Sequence, residues 1–147
     1  MIKNKYLTQI EETLNLYFGK KAPAMPENIK ELIVKYSPYL TAIALIFSIP
    51  TLLFALGVSR AFMPLAYAGG YRPGFSISLI ISLFAMILEA MALPGLFKRT
   101  KNSWEYMFYA SLLMIISYIF DFNLGSLIIG GAISFYILFQ IKSYFKN

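Results

Sequence analysis

The chain has 147 residues, 59% of them hydrophobic and only 14% charged, and its mean hydropathy is +0.65. A soluble domain is about 45–50% apolar and about 25% charged, so the apolar excess is more than one soluble core can take and calls for lipid. Cysteine and histidine are absent; this excludes disulfides, thiolate nucleophiles, Cys/His zinc sites, His-ligated haem and an imidazole general base, and neither a cofactor nor an enzymatic activity is expected.

Residues 1–18 place Ile2, Tyr6, Ile10, Leu14, Tyr17 and Phe18 three or four positions apart, with Lys3, Lys5, Gln9, Glu11, Glu12 and Asn15 between them. This is the pattern of an amphipathic helix. It lacks the unbroken apolar stretch and cleavage site of a secretory signal. It is expected to lie on the membrane surface or beneath the bundle, with partner docking as its other use. Gly19 to Pro26 is a break. From Glu27 to Tyr36 the apolar Ile29, Leu32, Ile33 and Tyr36 share a face, predicting a second short interfacial helix. Ser37-Pro38 is expected to end it, because a residue before proline avoids the helical region. Residues 1–37 therefore read as an interfacial unit and 38–147 as a transmembrane domain.

Four apolar runs follow: 39–57, 75–97, 104–120 and 124–141. A spanning helix needs about 20 residues to cross roughly 30 Å of hydrocarbon, so the runs predict an all-α, four-helix transmembrane bundle. Pro50 in the first run frees the Ile46 carbonyl and is expected to kink the helix, with Ser48 and Thr51 at hand to satisfy it. Pro94-Gly95 is a possible break in the second. The connection 58–74 is unusually apolar for an outer loop. The other two, 98–103 and 121–123, are short and make their helices antiparallel neighbours.

Charge sets the direction. Eleven of the thirteen basic residues precede the first run, lie between the second and third, or follow the fourth. Only Arg60 and Arg72 fall on the opposite side. Lys and Arg collect on cytoplasmic loops, so both termini are expected in the cytoplasm of a cell carrying this protein in its cytoplasmic membrane. Trp104 and Tyr39 suit the aromatic belt. Lys98, Arg99 and Lys101 are candidates to hold anionic lipid headgroups. The basic residues are spread along one boundary, which does not suit nucleic acid.

Glu89 is the one charge set deep in an apolar run. With Ser78, Ser82, Ala85 and Ala92 it shares a small, polar helical face suited to close helix approach. In low dielectric such a carboxyl is held neutral by desolvation. It is either a proton- or cation-handling site, or packing glue hydrogen-bonded to Thr41, Ser48, Thr51, Ser111, Ser117 or Ser134. Ser126, Gly130 and Ser134, with Gly131 beside them, form a small-residue seam for packing within the bundle or between copies. Tyr106, Tyr109, Tyr118 and Tyr136 read as a polar aromatic lining or as interface anchors, and Glu105 stands where Lys101 can pair with it.

Glu89-Ala90-Met91-Ala92-Leu93-Pro94-Gly95-Leu96-Phe97-Lys98-Arg99, then Trp104, then Tyr136-Ile137-Leu138-Phe139-Gln140-Ile141 resembles a set of small, uncharacterised four-helix bacterial membrane proteins. The resemblance implies a bacterial cytoplasmic membrane and no particular activity. Two functions fit these residues. One is assembly, as a homo-oligomer or as an accessory subunit of a membrane complex, with lipids, itself or another membrane protein as partner. The other is a minimal transporter or channel with Glu89 as its ionisable site.

Overall fold

The computed structural model describes residues 4–55 and 77–146, with Pro64 and Ala68 between them. The expected outer connection 58–74, with Arg60 and Arg72, otherwise lies outside the described residues. Among the described residues the chain is all-helical, with no strand. Helix α1 (Lys5–Leu14) continues into a π-helical stretch, Asn15–Lys21. Then come α2 (Glu27–Ala55), α3 (Ile77–Phe97) and α4 (Lys101–Phe120). A second π-helical stretch, Ser126–Gly130, leads into α5 (Gly131–Gln140), and a 3-10 turn over Lys142–Tyr144 follows.

Three helical segments among the described residues are long and apolar enough to cross a membrane: Glu27–Pro50, Ile77–Phe97 and Lys101–Phe120. The fourth expected span is a shorter apolar helix, Ser126–Gln140, in the range of 10–17 residues. At ~1.5 Å per residue it reaches about 15–25 Å, less than a full hydrocarbon thickness.

The expected break at Ser37-Pro38 does not occur. α2 runs unbroken through both Pro38 and Pro50. A helical proline lacks the N–H that would bond the carbonyl four residues back. For Pro38 that carbonyl belongs to Val34, and the Ser37 hydroxyl donates to it at 3.0 Å. The hydroxyl takes over from the missing amide, so the two helices expected on either side of residue 37 form one rod. At Pro50 the matching help is not given by Ser48, whose hydroxyl donates to Ala44 at 2.7 Å. The helix nevertheless continues to Ala55, and α3 likewise passes through Pro94 to Phe97.

The most extensive helix contact is between α3 and α4. Ser78, Ser82, Ala85 and Ala92 are buried. The Ser82 and Ser117 hydroxyls lie 3.2 Å apart, and Ser117 also donates to the Ser78 carbonyl at 3.3 Å. In an apolar phase such contacts and close packing, rather than the hydrophobic effect, hold helices together. The turn between the pair is equally tight. Arg99 takes a left-handed φ of 54°, and the Thr100 amide donates to the Gly95 carbonyl at 2.9 Å. A Cβ on Gly95 would meet Thr100 Oγ1 at 2.5 Å and Ser103 Cβ at 2.7 Å, so only glycine fits without a shift.

The largest core cluster lies at the end where the α3–α4 turn sits. Trp104 stacks on Phe108 with ring centroids 5.5 Å apart and meets Phe139 edge-on at 5.4 Å. Phe108 and Phe18 both contact Phe135. The N-terminal segment is fastened here. Gln140 is 6% exposed. Its Oε1 accepts from the Met25 amide at 3.1 Å, and its Nε2 donates to the Phe18 carbonyl at 3.0 Å. Tyr136 donates to the Pro23 carbonyl at 2.8 Å. Lys142 pairs with Glu11 at 2.6 Å while lying 4.6 Å from the Trp104 ring centre. The Tyr144 hydroxyl donates to the Glu27 carboxylate, which holds the Tyr144 phenol above its ordinary range. The Lys146 amide donates to the Arg99 carbonyl at 3.0 Å. The segments carrying Lys20, Lys21, Lys98, Arg99, Lys101, Lys142 and Lys146 thus converge at one end of the bundle.

This packing sets the outcome of three substitutions. Gly95→Ala should lower stability by about 1–3 kcal/mol through overpacking. Gly130→Ala should be nearly neutral, since its Cβ would meet nothing closer than Tyr118 at 3.9 Å. Thermal melts of the purified variants compare them. Gln140→Leu should cost about 1–3 kcal/mol by leaving the Met25 amide unpaired. It should also speed proteolysis at Lys20 and Lys21, followed by time-resolved mass spectrometry.

Candidate functional site

α2 packs on α3, while α5 packs on α4 and on the 15–21 stretch. Between these contacts lies a cavity of about 330 Å³, to which all four long segments contribute. Ile33 and Ser37 come from α2, Glu89 and Leu96 from α3. α4 supplies a stripe of Trp104, Met107, Ser111, Met114 and Tyr118, three or four residues apart along one face. Gly130, Ser134, Phe135 and Leu138 close the other side, with Ile141 and Phe145 at the basic end. The lining is mostly apolar, and among the described residues no Lys or Arg belongs to it.

Glu89 is half-buried and faces this cavity. Among the described residues, no group hydrogen-bonds or ion-pairs with its carboxyl. The other polar groups in the lining are hydroxyls. Ser37 is engaged with Val34 and Ser111 with Met107, the latter at 2.9 Å. Ser134 and Tyr118 complete the set. Of the six hydroxyls considered as glue for Glu89, Ser111 and Ser134 share its cavity. Ser117 is committed to Ser78 and Ser82, and Ser48 to Ala44. Thr41 is half-buried outside the lining, and the Thr51 side chain lies outside the described residues. Among the described residues no three acidic side chains gather as they would around a metal ion.

The small residues of the fourth run fall in two places. Gly130 and Ser134, four residues apart, both border the cavity; Ser134 is exposed and Ser126 half-buried. Gly131 beside them is buried and makes a close helix approach, where a Cβ would come within 2.8 Å of Ile115 Cδ1. A π-helical stretch over Ser126–Gly130 precedes it. Of the four tyrosines, Tyr118 alone lines the cavity, while Tyr136 secures Pro23. Lys101 and Glu105 do not pair: Lys101 is exposed at the start of α4. The ion pairs among the described residues are Lys30–Glu27 and Lys142–Glu11. Lys98 is exposed beside the half-buried Arg99.

Sequence reasoning did not find the clamp made by Gln140 and Lys142, nor the roles of Trp104, Met107 and Met114 in the cavity wall. One signal was available: Gln140 is a polar residue within a long apolar run. Comparison with protein-family models, curated proteins and solved structures finds no match to this chain.

An apolar cavity exposing one unpartnered carboxyl should admit an apolar carboxyl reagent. Dicyclohexylcarbodiimide is expected to add once to the wild-type protein in lipid nanodiscs and not to Glu89→Gln, as read by intact mass. An equal adduct on both proteins would place the reactive acid elsewhere.

Proposed function

We propose that this chain crosses a bacterial cytoplasmic membrane four times, with both termini cytoplasmic, and acts as a minimal transporter with Glu89 as its ionisable site. Support for the topology comes from the convergence of the basic segments at one end, opposite the Asp121–Asn123 turn. A crossing by the short 126–140 helix needs local thinning of the bilayer, a modest cost. Lys98 and Lys101, exposed at the basic end, then lie at the depth of anionic headgroups.

The observation that carries the transport reading is the cavity: four helices line it, and its carboxyl has no hydrogen-bond or ion-pair partner among the described residues. An ionisable group at membrane depth is costly and is retained where it faces a pathway or a ligand. The assembly reading draws on apolar side chains exposed on α2, such as Leu40, Ile43, Ile46 and Phe47. In a monomer these face lipid equally well, so they favour neither reading.

Reconstituted liposomes with a pH-sensitive or cation-sensitive dye inside provide the test. Wild-type protein is expected to dissipate an imposed proton or monovalent-cation gradient, and Glu89→Gln to lose at least about tenfold of that rate, the effect of ~1.4 kcal/mol. Equal rates in the two proteins, or no flux in either, would end the transport reading and leave assembly.

A further inference from the structure

We infer that the cavity takes an amphiphilic organic cation, a protonated amine or quaternary ammonium on an apolar body, with its charged head at Glu89 and its apolar part toward Trp104. The inference rests on the reading of Glu89 as a site, though not on flux.

The charge inventory points there first. Among the described residues the lining holds one carboxyl and no basic residue, so an ionised Glu89 has no counter-charge among them. A lone ion in an apolar surrounding is heavily penalised unless it is paired. A cationic ligand supplies the missing charge, and an anionic one adds a second uncompensated one. Where the acid holds a proton, that proton leaves to water as the cation enters, so the cavity's net charge is unchanged. Tyr118 is the other titratable side chain in the lining.

The donor set then separates organic from inorganic cations. A hard metal ion wants six or more oxygen ligands, or a near-octahedral shell. Among the described residues the lining offers one carboxyl and the hydroxyls of Ser37, Ser111, Ser134 and Tyr118, spread over α2, α4 and α5, too few oxygens for that shell. An organic cation needs no such shell. Its apolar body is met by Met107 and Met114, which adapt to irregular shapes, and by the rings of Trp104 and Phe135. The volume of about 330 Å³ is at the low end of the roughly 300–1,000 Å³ of small-molecule sites.

The orientation follows from where the carboxyl stands. Glu89 lies two helical turns from Leu96 along α3, and the wall at the basic end is Leu96, Trp104, Ile141 and Phe145, none of them acidic. The ligand's charge is drawn to Glu89, and its apolar body is left to that end.

Trp104 is the only tryptophan in the chain, is 2% exposed and lines the cavity, so its emission reports on the site. The titrants are decyltrimethylammonium, decanol and decanoate, added to protein in zwitterionic nanodiscs. The expected result is a saturable change in Trp104 emission with the cation, at an affinity at least about tenfold above that for either other titrant. Glu89→Gln should bring the cation down to the level of decanol, while Glu89→Asp retains part of the preference. The three-way comparison on wild-type protein does not depend on any variant folding. Equal affinity for cation and alcohol, tighter binding of decanoate, or an unchanged cation affinity in Glu89→Gln would each overturn the inference. Selective binding without flux overturns transport and leaves the ligand class standing; flux without cation selectivity does the reverse.

Discussion

The indole of Trp104 donates its N–H to the Leu138 carbonyl at 2.8 Å, stacks on Phe108 and lies beneath the Lys142 ammonium. Through the first contact it sets where the end of α5 rests on α4. Through the second it anchors the aromatic cluster that receives Phe18. Through the third it draws Lys142 to the place where Glu11 meets it, so the N-terminal helix is held by the same ring. One face of the cavity is also this side chain. The position of α5, the strap formed by residues 4–26 and the shape of the cavity are therefore consequences of one buried, hydrogen-bonded aromatic. Buried indoles need a partner for the N–H, and the Leu138 carbonyl provides it.

Elsewhere the bundle is joined where short side chains or hydroxyls allow it. In lipid, apolar faces gain little by leaving the solvent for each other, since the acyl chains are as apolar as leucine. Contact therefore concentrates at Ser78, Ser82 and Ser117 between α3 and α4, at Gly95 in their turn, and at Gly131 against Ile115. The cavity lies between these joins, walled by Ser37, Ser111, Gly130 and Ser134 as well as by larger apolar side chains. Glu89 faces it, with no hydrogen-bonded hydroxyl among the described residues.

α2 shows how a local rule yields to a side chain. Proline at position 38 argues for a break, and the residue before it argues the same way. Yet that residue is serine, and its hydroxyl reaches the Val34 carbonyl left without its usual donor. The result is a single rod whose first turns belong to the basic end and whose later turns are apolar. It also brings Ile33 and Ser37 to the cavity wall, which two separate helices joined at residue 37 need not have done.

The apolar runs, the basic asymmetry and the small-residue face of α3 depend on composition and on helical periodicity, which are properties of the chain read in order. For that reason the helical class, the long apolar segments and the buried Ser78, Ser82, Ala85 and Ala92 were legible in the sequence, as was the singularity of Glu89. What surrounds Glu89 was not legible, because a carboxyl's partner depends on which helix comes to rest opposite it. The π-helical stretch before the last helix was not legible either, because no periodicity rule announces it. Gln140 and Lys142 acquire their roles only when residues more than a hundred positions apart meet. Composition and period determined that this chain forms long apolar helices with one end basic; tertiary contact alone decided that Glu89 faces a cavity instead of a seam.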